Sequence, residues 1–82
     1  MDFQKIVEIL DSYIRNRFSI GDDPDYGLDT DLFEYGFLDS LGAIDVIMYL
    51  EESLKIEITQ KDITLYPMNT VNEIAEVVAG KF

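Results

Sequence analysis

Apolar residues recur at helical spacing from the start of the chain. Phe3, Ile6, Val7, Leu10, Ile14 and Phe18 share one face, and Glu8 and Asp11 lie on the other. With Asp2 as a cap, this spacing predicts a first helix running to about Phe18, with Gly21 just past its end. A second helix is expected from Ser40 to Leu54, where Ala43, Val46, Ile47, Leu50 and Leu54 cluster on a core face. Lys55-Ile56-Glu57-Ile58 alternates briefly, but it is too short for a sheet and no partner strand follows. Thr59 and Asp62 stand in a capping-box relation that opens a short helix ending near Leu65. Thr70 and Glu73 repeat the device ahead of a last helix, whose core face is Val71, Ile74, Ala75 and Val78 and which Gly80 closes. The pattern predicts an all-α fold: a small three- to four-helix bundle with a long loop between helices 1 and 2.

The second helix is apolar on too many sides. Leu41, Ile44 and Met48 form a stripe well over 90° from the core face, flanked by Asp45 and Glu52 on one side and Glu51 on the other. A small domain cannot bury both faces of one helix. The stripe is either a docking surface rimmed by charge or a floor for the long loop. That loop, from Ser19 to Leu38, carries Pro24, three glycines and five aspartates, and Leu28, Leu32, Phe33 and Leu38 are its candidate anchors. Within it Asp23, Asp25, Asp31 and Glu34 match part of a calcium-loop spacing. Gly27 stands at the fifth position and Leu28 at the sixth, where the sharp turn needs glycine. No specific metal site is expected from it, only diffuse cation binding.

Composition narrows the chemistry. Eighty-two residues make one domain, 1–82, with a thin core. There is no cysteine and no histidine, which removes the thiolate nucleophile, the zinc-thiolate site and the commonest general base. Any thiol chemistry must arrive on a prosthetic group. Seventeen acidic against six basic residues give a net charge of −11, which disfavours nucleic acid and anionic membranes and favours partners with basic patches. Met1-Asp2-Phe3 opens directly on an amphipathic helix and no apolar run suits membrane insertion, so a cytoplasmic monomer is expected.

The one stretch with a chemical signature is Gly36-Phe37-Leu38-Asp39-Ser40-Leu41-Gly42-Ala43-Ile44. Asp39 is a good N-cap, and Ser40 then falls at the first helical position, beside the positive end of the helix dipole. A phosphate ester on its hydroxyl would lie near unpaired N–H donors. Asp39-Ser40-Leu41, preceded by Phe33, Gly36 and Leu38 and followed by an apolar helix ending in Leu50-Glu51-Glu52, resembles the acyl and peptidyl carrier proteins. The resemblance covers essentially the whole chain. It implies the helical bundle of that family and phosphopantetheine, taken from coenzyme A by a phosphopantetheinyl transferase, on Ser40. It further implies that Asp39 caps the helix and helps the transferase hold its metal and coenzyme. Leu41, Ile44 and Met48 would dock partners, with Asp45, Glu51 and Glu52 steering them. The implied role is a non-enzymatic carrier that holds an acyl or aminoacyl group as a thioester.

Fatty-acid carriers usually have an acidic residue after the Ser-Leu pair. Gly42 stands there, and Asp62-Ile63-Thr64-Leu65 with Met68-Asn69-Thr70 also resembles the ending of stand-alone D-alanyl, aminoacyl or peptidyl carriers. The expected loading partner is therefore an adenylate-forming ligase, approaching closely over a bare Gly42, with an acyltransferase and downstream acyl-processing enzymes as the other partners. The competing reading is a small acidic adaptor that docks through helix 2 with no prosthetic group. A third is a cation-binding domain built on the aspartate loop.

Self-repulsion among seventeen acids makes one prediction independent of function. In dilute buffer, added salt or magnesium raises the melting temperature through screening. An unchanged melting temperature would show that repulsion is a negligible term.

Overall fold

A computed structural model describes residues 1–82 and contains four helices. They are α1 (Phe3–Arg17), α2 (Ser40–Leu54), α3 (Gln60–Leu65) and α4 (Val71–Ala79), with no strand. Each begins on a side-chain cap. Asp2 accepts from the Lys5 N–H at 2.8 Å, and both capping boxes close, Thr59 with Asp62 and Thr70 with Glu73. These caps satisfy amides that a helix start leaves without partners. The Lys55–Ile58 run is an extended connector, and it inserts Ile58 into the core.

α1 and α4 pack most closely against each other. Ile6, Val7, Leu10 and Ile14 of α1 meet Val71, Ile74, Ala75 and Val78 of α4 in a cluster that also takes Val46 and Leu50 of α2. The periodicity located this face in full on α4; on α1 Phe3 stays 40% exposed and Phe18 half-buried, and on α2 Val46 and Leu50 are buried while Ala43, Ile47 and Leu54 are half-buried. α2 stops at Leu54 and α4 at Gly80, as expected: Lys55 caps α2 in the left-handed conformation (φ 56°), and Gly80 caps α4 in the right-handed region.

The loop of residues 19–38 does not cover the second stripe of α2. It crosses toward α4 instead. Leu32 is fully buried, its N–H donates to the Asn69 carbonyl at 2.8 Å, and its own carbonyl accepts from Leu38 at 3.0 Å. Leu28 offers its carbonyl to the Asn72 N–H at 3.1 Å, and the Asn72 side chain reaches Asp29 at 2.8 Å. Of the four expected anchors, Leu32 and Leu38 are buried, while Leu28 and Phe33 remain over a third exposed. The missing anchor is Tyr26. Its ring is buried, its hydroxyl donates to Asp11 at 2.7 Å, and the Arg15 guanidinium lies 4.3 Å from the ring centroid. Arg15 also pairs with Asp11 at 3.1 Å and donates to the Gly21 carbonyl. Burial, then the Asp11 carboxylate, raises the Tyr26 hydroxyl well above its ordinary pKa, so it stays a donor.

The acids of the loop serve the backbone. Asp23 accepts from the Asp25 N–H, and Asp31 accepts from Phe33 and Glu34, each as a local turn. No three acidic side chains converge.

Tyr26→Phe keeps the ring and removes the hydroxyl. The expected loss is about 1 kcal/mol of unfolding free energy in urea, and unchanged stability would show that the Asp11 contact contributes nothing.

Candidate functional site

The turn of residues 36–39 aims the start of α2 outward. Gly36 adopts φ 78°, a conformation a side chain would strain, and Leu38 plugs into the core two residues later. Asp39 follows in extended conformation as N-cap, with one carboxylate oxygen 2.7 Å from the Gly42 amide. Ser40 is the first residue of α2 and is exposed. The Ser40 and Leu41 amides find no acceptor in the chain, so two donors at the positive helix end remain available beside the serine hydroxyl. Next to them lies a shallow depression of about 360 Å³, bordered by Arg17, Phe37, Asp39, Leu41 and Asp45. An ester-linked phosphate fits this arrangement, because nothing encloses the hydroxyl and the nearest free donors are backbone N–H groups.

Gly42 corrects one expectation. It is buried, and a β-carbon there would lie 3.2 Å from the Phe18 ring and 3.3 Å from both Asp39 and Leu38. The missing side chain thus faces the end of α1 and not an incoming partner. Its use is to let Phe18 close on the first turn of α2.

The second stripe is open. Leu41 is 77% exposed and Ile44 and Met48 are each 54% exposed. The three acids expected to steer partners differ in kind. Asp45 accepts from the Tyr13 hydroxyl at 2.5 Å and pairs with Arg17 at 3.3 Å, so much of its charge is matched within the chain. Tyr13 in turn stacks on Tyr49 at 3.7 Å, and burial followed by Asp45 raises the pKa of its hydroxyl. Glu51 accepts from the Ile58 N–H at 3.0 Å and holds the connector after α2. Only Glu52 is exposed with no such contact. These internal ties had no signal in the sequence, because their partners lie on other elements.

Behind α2, an apolar groove of about 410 Å³ runs between Ala43, Val46 and Ile47 on one wall and Ile63 and Leu65 on the other. The base of α3 opposite α4 is fixed differently. Asp62 receives Lys81 at 2.5 Å and the Thr59 N–H at 2.9 Å, and these two bonds, the lysine first, hold its carboxyl at about 2.

Residues 8–78 match the family model of the phosphopantetheine attachment site. A D-alanyl carrier protein of Streptococcus uberis is 42% identical over 50 residues, which cover 61% of this chain and 63% of that protein. One of Lactococcus lactis subsp. cremoris is 43% identical over 54 residues, covering 66% of this chain and 68% of the relative. One of Streptococcus gordonii is 31% identical over 74 residues, covering 90% of this chain and 86% of the relative. The match thus spans less than two thirds of the first relative's length.

Gly42→Val tests the close contact at the site. It should lower stability by about 1–3 kcal/mol through overpacking against Phe18, read by urea denaturation. Ser40→Ala should change stability by less than about 0.5 kcal/mol, since Asp39 supplies the cap. Equal losses in the two variants would contradict the assigned roles.

Proposed function

The chain belongs to the phosphopantetheine-attachment family, and we propose that it is a non-enzymatic carrier bearing that group on Ser40. The observation that carries this reading is an exposed serine at the first position of a capped helix, with two free amides beside it. The prosthetic group would supply a flexible arm ending in a thiol, on which an acyl or aminoacyl group rides as a thioester. The chain's own part is positional. In the transferase reaction the Ser40 hydroxyl oxygen bonds to the pantetheine-side phosphorus of coenzyme A, its proton leaves, and the bond to 3′,5′-adenosine diphosphate breaks. Asp39 keeps the helix start formed, and the free Ser40 and Leu41 amides would be donors available to a phosphate on the serine. Tethering then raises the effective concentration of the bound group at each partner's active site.

Leu41, Ile44 and Met48 form the docking stripe in this reading, with Glu52 and the overall negative field attracting basic partners. Asp45 and Glu51 support the stripe from behind through Tyr13, Arg17 and Ile58. The relatives are named as D-alanyl carriers, which favours an adenylate-forming ligase as the loading enzyme and an amino acid such as D-alanine as the cargo. No helix is long and apolar enough to cross a membrane, and in this reading the acidic chain works in the cytoplasm as a monomer. The adaptor alternative requires no reaction with coenzyme A.

Incubated with coenzyme A and a broad-specificity phosphopantetheinyl transferase, the wild type should gain one phosphopantetheine unit by intact mass and Ser40→Ala none. Holo protein should then be loaded by an adenylating ligase with ATP and D-alanine. Ile44→Ala or Met48→Ala should slow loading by about 5–30-fold, for about 1–2 kcal/mol of docking energy, with unchanged circular dichroism. Efficient malonyl loading by a fatty-acid malonyl transferase, with no response to any adenylating ligase, would overturn the cargo assignment. An unmodified wild type would overturn the carrier reading itself.

A further inference from the structure

A phosphate diester on Ser40 adds negative charge to a chain already at −11, and Asp39 and Asp45 border the depression beside it. The free amides of the helix start offer only partial positive charge against this. A full cation near the serine would offset it, and the chain has six basic residues to draw on.

Most of them are placed elsewhere. Lys5 stands in the first turn of α1, Lys55 just past the end of α2 and Lys61 on α3. Arg15 is taken by Asp11, by the Gly21 carbonyl and by the Tyr26 ring, and Lys81 by Asp62. Arg17 alone borders the depression beside Ser40.

Its setting suits an anion. The inner nitrogen, Nε, makes the closest approach to Asp45, 3.3 Å, and the side chain stays 54% exposed. Asp45 is itself held by the Tyr13 hydroxyl at 2.5 Å, so it is a firm seat for the guanidinium. The guanidinium carbon lies 5.5 Å from the centroid of the Phe18 ring, the same ring that closes on Gly42 in the first turn of α2. Arg17 is thus steadied from both helices that meet at the site. With Nε turned to Asp45, its terminal amino groups remain, and their planar fork matches two oxygens of a phosphate.

We propose that Arg17 is a phosphate-binding residue of this site, held ready by Asp45, and that it pairs with the phosphodiester once Ser40 is modified. The inference rests on the carrier reading and adds a residue of α1 to a site otherwise built from α2. The pairing makes and breaks no covalent bond. It would tie the base of the arm to α1 as well as α2 and so narrow the directions in which the arm leaves.

The test converts wild type and Arg17→Gln with coenzyme A and a broad-specificity phosphopantetheinyl transferase, with conversion read by intact mass. In the wild type, solvent exchange of the Arg17 guanidinium protons, followed by NMR, should slow about two- to fivefold from apo to holo protein, the range for a half-exposed pair. The phosphorus resonance of the phosphodiester should differ between holo wild type and holo Arg17→Gln in dilute buffer. That difference should shrink in about 1 M salt, which screens a surface pair. Unchanged guanidinium exchange, an identical phosphorus resonance, or a difference that salt leaves untouched, in fully converted protein, would overturn the role of Arg17 and leave the carrier reading standing. A wild type that gains no mass would overturn the carrier reading and this inference with it.

Discussion

The contact between the first turn of α2 and the end of α1 is the constraint on which the candidate site depends. Ser40 stands in the open, with no pocket walls to fix it, so its position is set from behind. Asp39 ties the helix start through the Gly42 amide, and Gly42 has no side chain to hold Phe18 away. Leu38 adds a plug into the core, and through the Leu32 carbonyl it joins the turn to the loop that spans to α4. In the proposed reading this end of the helix would hold the attachment atom in place while the arm travels.

Charge is used in two ways. A minority of the seventeen acids is tied internally. Asp11 holds Arg15 and Tyr26, Asp45 holds Tyr13 and Arg17, Glu51 holds the Ile58 amide and Asp62 holds Lys81. Three of only six basic residues, Arg15, Arg17 and Lys81, are engaged in those pairs. What remains is a diffuse negative field around an apolar stripe. In the proposed reading such a field would speed encounter with basic partners, and the stripe would supply the short-range contact.

The sequence was most legible where the signal is local. Both capping boxes, the Asp39 cap and the core face of α4 follow from spacings of three and four residues, and all are in place. The α2 bounds, Ser40–Leu54, were likewise readable from the two apolar stripes, and the second stripe is exposed as a docking face requires. Legibility failed where a residue's role is set across the fold. Tyr26 looked like one more loop residue until Asp11 and Arg15 met it from another element. Gly42 looked like a surface feature because its neighbour Phe18 is 24 positions away in the chain and close in space. Asp45 and Glu51 read as free charges for the same reason. Lys55 stopping α2 in a left-handed conformation carried no signal, since glycine is the residue that announces such a turn.

The central claim is that one hydroxyl, placed by the α2 cap, is the point of attachment. The chain has four serines, Ser12, Ser19, Ser40 and Ser53, and all are exposed. Exposure alone therefore does not select among them; the free amides and helix start are what favour Ser40 in the proposed reading. Fragment-mass mapping of the wild-type protein after reaction with coenzyme A and transferase distinguishes the four directly. The account predicts the phosphopantetheine unit on the fragment containing Ser40 and on no other. Its appearance on Ser12, Ser19 or Ser53 would contradict it.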